Sequence, residues 1–466
     1  MSTELELSEI QGMVTSGFAH LDHARFFFLR IENRKLAQAW LAGVLPYVNT
    51  SARRQKGDPK PPVFVQIAFT APGLAALGLA ISIDTPNGFP REFILGMAHG
   101  ERPRVLGDTG ESAPAKWQMG GPDTPEVHML LMLYAGSRAE LDSVMHNHLA
   151  DPGANGLGEI YRQESHRKSA HEPFGFRDGI SQPAIEGVPS SRSPGQDVIK
   201  PGEFLLGYDN GYGQQAPIPT VPRDQDRNNL LPDTEGGKAF GRNGTFLVLR
   251  KLAQDVEGFW KFMEDHARKP DGTVDEQKKD LLAAKFVGRW KSGAPLTLAP
   301  DKDDPALGGN SRRNNDFKFT PTDAEGFACP LGSHIRRSNP RDMQQPNPER
   351  SVVITNRHRI IRRGRPYHDG DESGILFIAI NADIQRQFEF IQQTWINNEK
   401  FNGLYDNKDP LTGNQDDSET GTGSMTIQRC PVRQRVQGIP RFVQVRGGGY
   451  FFLPCISALK FLASLA

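Results

Sequence analysis

A short β-prone apolar run followed at once by an amphipathic stretch recurs along this chain, and it restricts the fold more than any other feature. Residues 26–31 lead into 32–45, 63–70 into 72–79, 127–134 into 137–149, 245–250 into 253–267 and 375–380 into 383–397. In the last unit Ile384, Phe388, Ile391 and Trp395 recur at helical spacing, with Glu389, Gln392 and Gln393 off that stripe. The units are irregularly spaced, which excludes a solenoid. Spread over both halves, they predict two copies of a βαββαβ, ferredoxin-like module: an α+β fold in which helices cover one face of each antiparallel sheet and the other face packs elsewhere.

Two long polar stretches interrupt the pattern. Residues 188–244 are rich in Pro, Gly, Asn and Asp, with one plausible strand at 203–208. The boundary is placed near their end, giving units 1–240 and 241–466. Residues 269–317 form a second loop-rich insertion with a helical piece around 276–290, the kind of segment that serves as a lid, a binding loop or surface decoration. A terminal helix is expected at 456–466. The net charge is +0, so no global field favours nucleic acid or an anionic membrane. No apolar run approaches the ~20 residues needed to span a bilayer. The acidic N-terminus has no basic or apolar leader pattern, and the three cysteines, Cys329, Cys430 and Cys455, have no paired spacing. The expectation is a cytoplasmic protein.

Three segments carry chemistry. Residues 329–341, Cys-Pro-Leu-Gly-Ser-His-Ile-Arg-Arg-Ser-Asn-Pro-Arg, hold one histidine, His334, among arginines, with no second histidine at chelating spacing. Such a residue supplies a single axial bond to haem iron while guanidinium groups neutralise propionates. By itself the segment reads equally as a basic loop that ligates nothing. Residues 175–183, Gly-Phe-Arg-Asp-Gly-Ile-Ser-Gln-Pro, set Asp178 in a glycine-bracketed turn, where an aspartate also caps its own backbone. Residues 357–367, Arg-His-Arg-Ile-Ile-Arg-Arg-Gly-Arg-Pro-Tyr, read as a basic edge strand. Arg359, Ile361 and Arg363 would share one face, His358, Ile360 and Arg362 the other. Nearby Asp369, Asp371 and Glu372 weaken a nucleic-acid reading. Together the segments offer what peroxide heterolysis on haem iron requires: an axial donor in His334, an acid/base in Asp178 and a cation in Arg362. Cys329 as a thiolate ligand is outweighed by a small buried thiol. His20 with His23, and His146 with His148, read as surface histidines. The absence of CxxCH excludes covalent haem attachment.

These motifs resemble those of the dye-decolorizing peroxidase family over most of the chain. Ile10-Gln11-Gly12 is similar to its entry motif, and Gly175-x-x-Asp178-Gly179 to its GxxDG signature. The segment from Cys329 to Arg341 looks like the proximal histidine motif, and Arg362-Arg363-Gly364-x-Pro366-Tyr367 the distal arginine motif. Gly374-Ile375-Leu376-Phe377 and Arg446-Gly447-Gly448-x-Tyr450-Phe451-Phe452 resemble the late strands. Length and N-terminus look most like the larger intracellular bacterial branch.

The resemblance implies two ferredoxin-like domains of dimeric α+β barrel type, each with a four-stranded antiparallel sheet, and haem b bound mainly by the C-terminal one. It implies an H2O2-dependent enzyme oxidising dyes and phenols, with aromatic reductants as partners. It carries over His334 as proximal ligand, Asp178 as distal acid/base and Arg362 as distal cation. Ile375 and Phe377 would line the distal face, where the family often has Leu and Phe. Asp409 aligns with the acid that hydrogen-bonds the proximal histidine, pushing the imidazole toward imidazolate. Arg336 or Arg341 would pair with a propionate. Oxidising bulky dyes around a buried haem suggests surface electron transfer, for which Trp395 and Tyr367 are candidates, although Trp395 also reads as core packing. A carboxylate base, with a reference pKa of ~3.9, predicts dye oxidation that peaks at acidic pH. The alternative is a haem-binding or haem-transfer protein with incidental peroxidase activity; a third reading is a ferredoxin-like module without haem.

Overall fold

The computed structural model describes residues 4–53, 61, 63–81, 83–84, 87–147, 155–189, 195–416 and 422–465. In the first half, strand β1 (His23–Ile31) leads into helix α1 (Arg34–Val44), β2 (Val63–Phe69) and β3 (Met129–Ala135) follow, and α2 (Arg138–Asn147) precedes β4 (Leu157–His166). The strands pair antiparallel in the order β2–β3–β1–β4. The second half repeats the plan. It runs β5 (Thr245–Gln254), α3 (Val256–His266), α4 (Glu276–Val287), α5 (His334–Ser338), α6 (Pro348–Asn356), then β6 (Ile361–Arg362) and β7 (Arg365–Asp369), two pieces of one broken strand. After β8 (Glu372–Asn381) come the hairpin β9 (Gly423–Ile427) and β10 (Gln434–Ile439), β11 (Val443–Leu453) and α7 (Ile456–Ser464). Its order, β6/β7–β8–β5–β11, places second, third, first and fourth strands side by side, as in the first half. Both halves therefore have ferredoxin-like topology, and the fold is α+β. The expected division at 240 falls in the irregular stretch between β4 and β5.

The two sheets are not separate. Phe452 of β11 pairs with Phe69 of β2, joining them into one nine-stranded sheet. The sheet curls until β4 approaches β7, where Ser165 Oγ donates to Pro366 O at 2.7 Å. Phe26, Phe28, Leu130, Met132, Leu247, Leu249 and Ile378 fill the space inside the curl. The outer faces lie under helices, where Leu41 and Val44 of α1 and Leu459 and Leu462 of α7 pack on Leu131, Leu133 and Val248. Each such side chain contributes about 1.5–3 kcal/mol of burial. β3 is buried along its whole length, which is why its sequence runs apolar without alternation. Side-chain caps mark the helix starts: Asn33 accepts Leu36 N–H at 3.1 Å and Asp275 accepts Lys278 N–H at 3.0 Å.

Two local expectations fail. Residues 203–208 form no strand. A helical turn, Pro201–Glu203, ends at their first residue and irregular turns follow, and the buried Glu203 carboxylate pairs with Arg386. In the helical segment after β8, which has wide π-type turns at Gln385–Glu389 and Ile391–Ile396, the apolar stripe is buried as expected, but so is Glu389. Glu389 accepts the Tyr450 hydroxyl at 2.7 Å and pairs with Arg102, because β11 and the first half cover that side too. Burial pushes its carboxyl pKa up. Among the described residues no helix is long and apolar enough to cross a membrane.

Candidate active site

A cavity of about 310 Å³ lies against the helical face of the second half-sheet. Alternate residues of three strands form its floor: Arg250 and Leu252 on β5, Ile375 and Phe377 on β8, Val443 and Val445 on β11. His334, Asp178, Arg362 and Arg341 all line this one space, so residues from distant parts of the chain converge as expected.

His334 opens the five-residue helix α5. The approach to it is fixed by Asp323, which accepts the N–H groups of Ala328 and Cys329 at 2.9 and 2.8 Å and Arg336 Nη2 at 2.7 Å. Cys329 is a buried thiol against Ser333 Oγ, as expected. His334 Nδ1 meets Asp409 Oδ2 at 2.9 Å, while Asp409 Oδ1 accepts the N–H groups of Leu411 and Thr412 at 2.9 and 2.8 Å. An acceptor-only carboxylate fixes the proton on Nδ1. Asp409 stands outside the lining and His334 within it, so Nε2 keeps its lone pair for the cavity. Burial alone would raise the Asp409 pKa; the His334 ring and the N–H donors outweigh it and hold the carboxyl below its usual value.

The Asp178 loop is tied down on both sides. Asp178 N–H donates to Ala170 O at 2.8 Å, and its Oδ1 accepts Gly179 N–H at 2.6 Å. Gly179 has φ +80°, a conformation that glycine adopts without strain. Upstream, Glu172 accepts Phe176 N–H at 2.8 Å, Phe174 N–H at 3.0 Å and Gln254 Nε2 at 2.8 Å, anchoring the loop to the end of β5. Burial pushes this carboxyl's pKa up. Arg362 Nη2 donates to Ile180 O at 2.6 Å and its backbone N–H to Gln182 Oε1 at 3.0 Å, which docks the distal strand on the same loop. The break after Arg362 needs Gly364, where a Cβ would stand 2.9 Å from Leu376 O.

Four expectations require correction. Arg336 does not reach the cavity: it is fully buried, and its guanidinium is spent on Asp323. Trp395, 3% exposed, and Tyr367, 0% exposed, are not surface groups. Trp395 packs against His358 and Phe390, and Tyr367 faces the interior of the curled sheet, donating to Glu372 Oε1 at 3.0 Å. The strict alternation read across 358–363 also fails, because only Ile361–Arg362 is strand. Arg359 therefore lines the cavity with Arg362, paired with Asp197, while Arg363 turns away to the carbonyls of Met13 and Val14 at 2.7 Å each.

Arg289, from the loop-rich insertion, is a site residue that the sequence did not reveal. It lines the cavity beside Arg341, and both donate to Asn315 Oδ1. Neither is hydrogen-bonded to a carboxylate among the described residues. Burial, with repulsion from Arg341, pulls Arg289 down to about 9, and burial pulls Arg341 down to about 10, so both remain cations at neutral pH. His23 stacks on His166 at 4.2 Å, and His148 lies outside the described residues. Among the described residues no group of three or more His, Cys, Asp and Glu is placed to hold a metal ion.

This donor set suits haem. One imidazole nitrogen cannot complete the coordination of a bare ion, but it completes that of an iron bringing its own equatorial nitrogens. The largely apolar floor suits a porphyrin face, and two cations without a bonded carboxylate, the buried Arg289 and the partly exposed Arg341, suit its propionates.

Fold and site together define a haem-protein scaffold of the two-module ferredoxin-like type. No protein-family model matches the chain. It is 31% identical over 501 residues to a dye-decolorizing peroxidase of Mycena epipterygia, covering 99% of this chain and 87% of that one. A solved ancestral D-type dye decolorizing peroxidase is 30% identical with TM-score 0.80, covering 98% of this chain and 99% of that chain. A dye-decolorizing peroxidase solved in complex with 2,6-dimethoxyphenol is 26% identical with TM-score 0.80, over 99% and 100% of the two chains. The chain belongs to the dye-decolorizing peroxidase family, H2O2-dependent oxidoreductases whose cofactor is haem. The Mycena relative is fungal, so it lends no support to the bacterial branch.

Proposed function

We propose that this chain is a haem b peroxidase that uses H2O2 to oxidise dyes and phenols. One observation carries the reading: an Asp409-bonded imidazole, the Asp178 carboxylate and the Arg362 guanidinium border a single cavity. His334 Nε2 would hold the iron, and Arg341 and Arg289 the propionates. Haem, when bound, supplies the centre that takes up the oxidising equivalents of peroxide. Asp178 Oδ1 is engaged by Gly179 N–H, which leaves Oδ2 to accept the peroxide proton and return it to the departing oxygen, released as water. Arg362, steadied by Ile180 O, offsets the negative charge on that oxygen. Ile375 and Phe377 exclude water from the face they line. Asp409 holds the Nδ1 proton throughout. The three unpaired cysteines suit the proposed cytoplasmic location.

The reading is tested with the haem-loaded chain, H2O2 and 2,6-dimethoxyphenol across pH. Peroxide-dependent oxidation is expected to persist into acid, because a carboxylate base, unlike an imidazole, stays ionised there. No peroxide-dependent turnover would refute the enzyme, and turnover lost on acidification through the imidazole range would refute a carboxylate as its base.

A further inference from the structure

Arg337 takes no part in the site described so far, yet it is among the largest fully buried side chains in the molecule. It stands three residues after His334 on the same short helix, α5, so the two share one rigid turn. Its guanidinium meets no carboxylate among the described residues. Instead Nε donates to Gly332 O at 3.3 Å, Nη1 to Trp395 O at 2.7 Å and Asn398 O at 2.9 Å, and Nη2 to Asn407 O. One side chain thus bridges the start of α5, the end of the helical segment after β8, and the turn leading into Asp409. The Ile396 carbonyl, 3.5 Å from Nη1, also accepts the Asp409 N–H at 2.9 Å. The backbone bearing Asp409 is therefore gripped at Asn407 and, through Ile396, at Asp409 itself. A planar fork of five donors reaches carbonyls in three directions; an ammonium group with three donors on a flexible stem does not hold the same set. Burial pulls the Arg337 pKa down to about 10, and Asp409 opposes that shift, so the side chain remains charged at neutral pH.

We propose that Arg337 is the positioning residue of the proximal pair: it locks the helix bearing His334 to the segment bearing Asp409, and so fixes the Nδ1–Oδ2 bond that sets the histidine's donor strength. The inference rests on the haem reading of the cavity. A merely structural role would lower stability and leave the iron–histidine bond unchanged.

The test is resonance Raman spectroscopy of the ferrous haem-loaded protein, reading the iron–histidine stretch, together with the Fe(III)/Fe(II) midpoint potential. Arg337→Lys is expected to lower the stretch toward that of Asp409→Asn and to make the potential more positive, because a loosened Nδ1 bond leaves a less anionic imidazole. In the Asp409→Asn background, Arg337→Lys should add no further shift, since both changes act through one bond. Asn407→Ala loosens the same segment without touching the guanidinium, removing bonds to Asp406 O at 2.7 Å and Ser424 Oγ at 2.8 Å. It should shift both readouts in the same direction by less, and Arg337→Gln supplies the direct test of the guanidinium if Arg337→Lys does not fold. An unchanged stretch in the folded variants, or an Arg337→Lys shift that adds in full to that of Asp409→Asn, overturns the proposal. A wild-type chain with no iron–histidine band would instead refute the haem reading.

Discussion

Asp178→Asn is expected to leave haem bound while slowing peroxide-driven oxidation by ~10²–10⁴-fold, the usual contribution of a positioned acid/base. Asparagine keeps an oxygen for Gly179 N–H and removes only the proton acceptor. The loop should also survive, because Glu172 and the Asp178 N–H to Ala170 O bond hold it independently of that carboxylate. Arg362→Leu should retain haem and lose activity by about 10²–10³-fold, since the guanidinium stabilises charge that develops as the O–O bond breaks. The check is stopped-flow turnover beside the Soret band of each variant. A haem carrier with incidental activity would show near-wild-type rates in both, and that outcome would contradict the assigned roles.

The second large effect concerns the scaffold rather than the chemistry. Asp323→Ala should cost about 3–5 kcal/mol, because it strands a buried charge. Arg336 is fully buried, pairs with Asp323 at 2.7 Å, and stacks 4.1 Å over the Phe319 ring. The substitution also orphans the N–H groups of Ala328 and Cys329 just ahead of His334. Denaturant unfolding reads the loss directly. A midpoint equal to that of the wild type would show that the pair is not what holds this segment.

Much of this was legible in the sequence, and the failures have physical causes. Local pattern located β1, β2, β3, β5 and β8 and the helices that follow them, because buried faces impose periods of two and 3.6 residues, but not β4, the β9–β10 hairpin or α6. Ordered motifs located His334, Asp178, Arg362 and Asp409. Direction within a motif was not readable. Arg336, Arg337 and Arg341 follow one histidine closely, yet one bonds Asp323, one grips backbone carbonyls and one lines the cavity. The chain turns sharply at Arg341, φ +55°, and spacing alone does not reveal such a turn. Tyr367 follows the distal arginine motif, which says nothing of its burial, whereas strand parity sets it opposite Gly374, on the face of β8 that carries Leu376. Arg289 lies in an irregular stretch with no period to mark it. The joining of the two half-sheets rests on one pair, Phe452 with Phe69, too small a feature to leave a pattern.

The central claim is that His334 presents its free nitrogen to an iron porphyrin in this cavity. Titration of the haem-free chain with haemin, followed at the Soret band, tests it most directly. The account predicts saturation at one haem per chain with a histidine-ligated spectrum, and loss of that spectrum in His334→Ala. Saturable binding with the same spectrum and affinity in His334→Ala would contradict it.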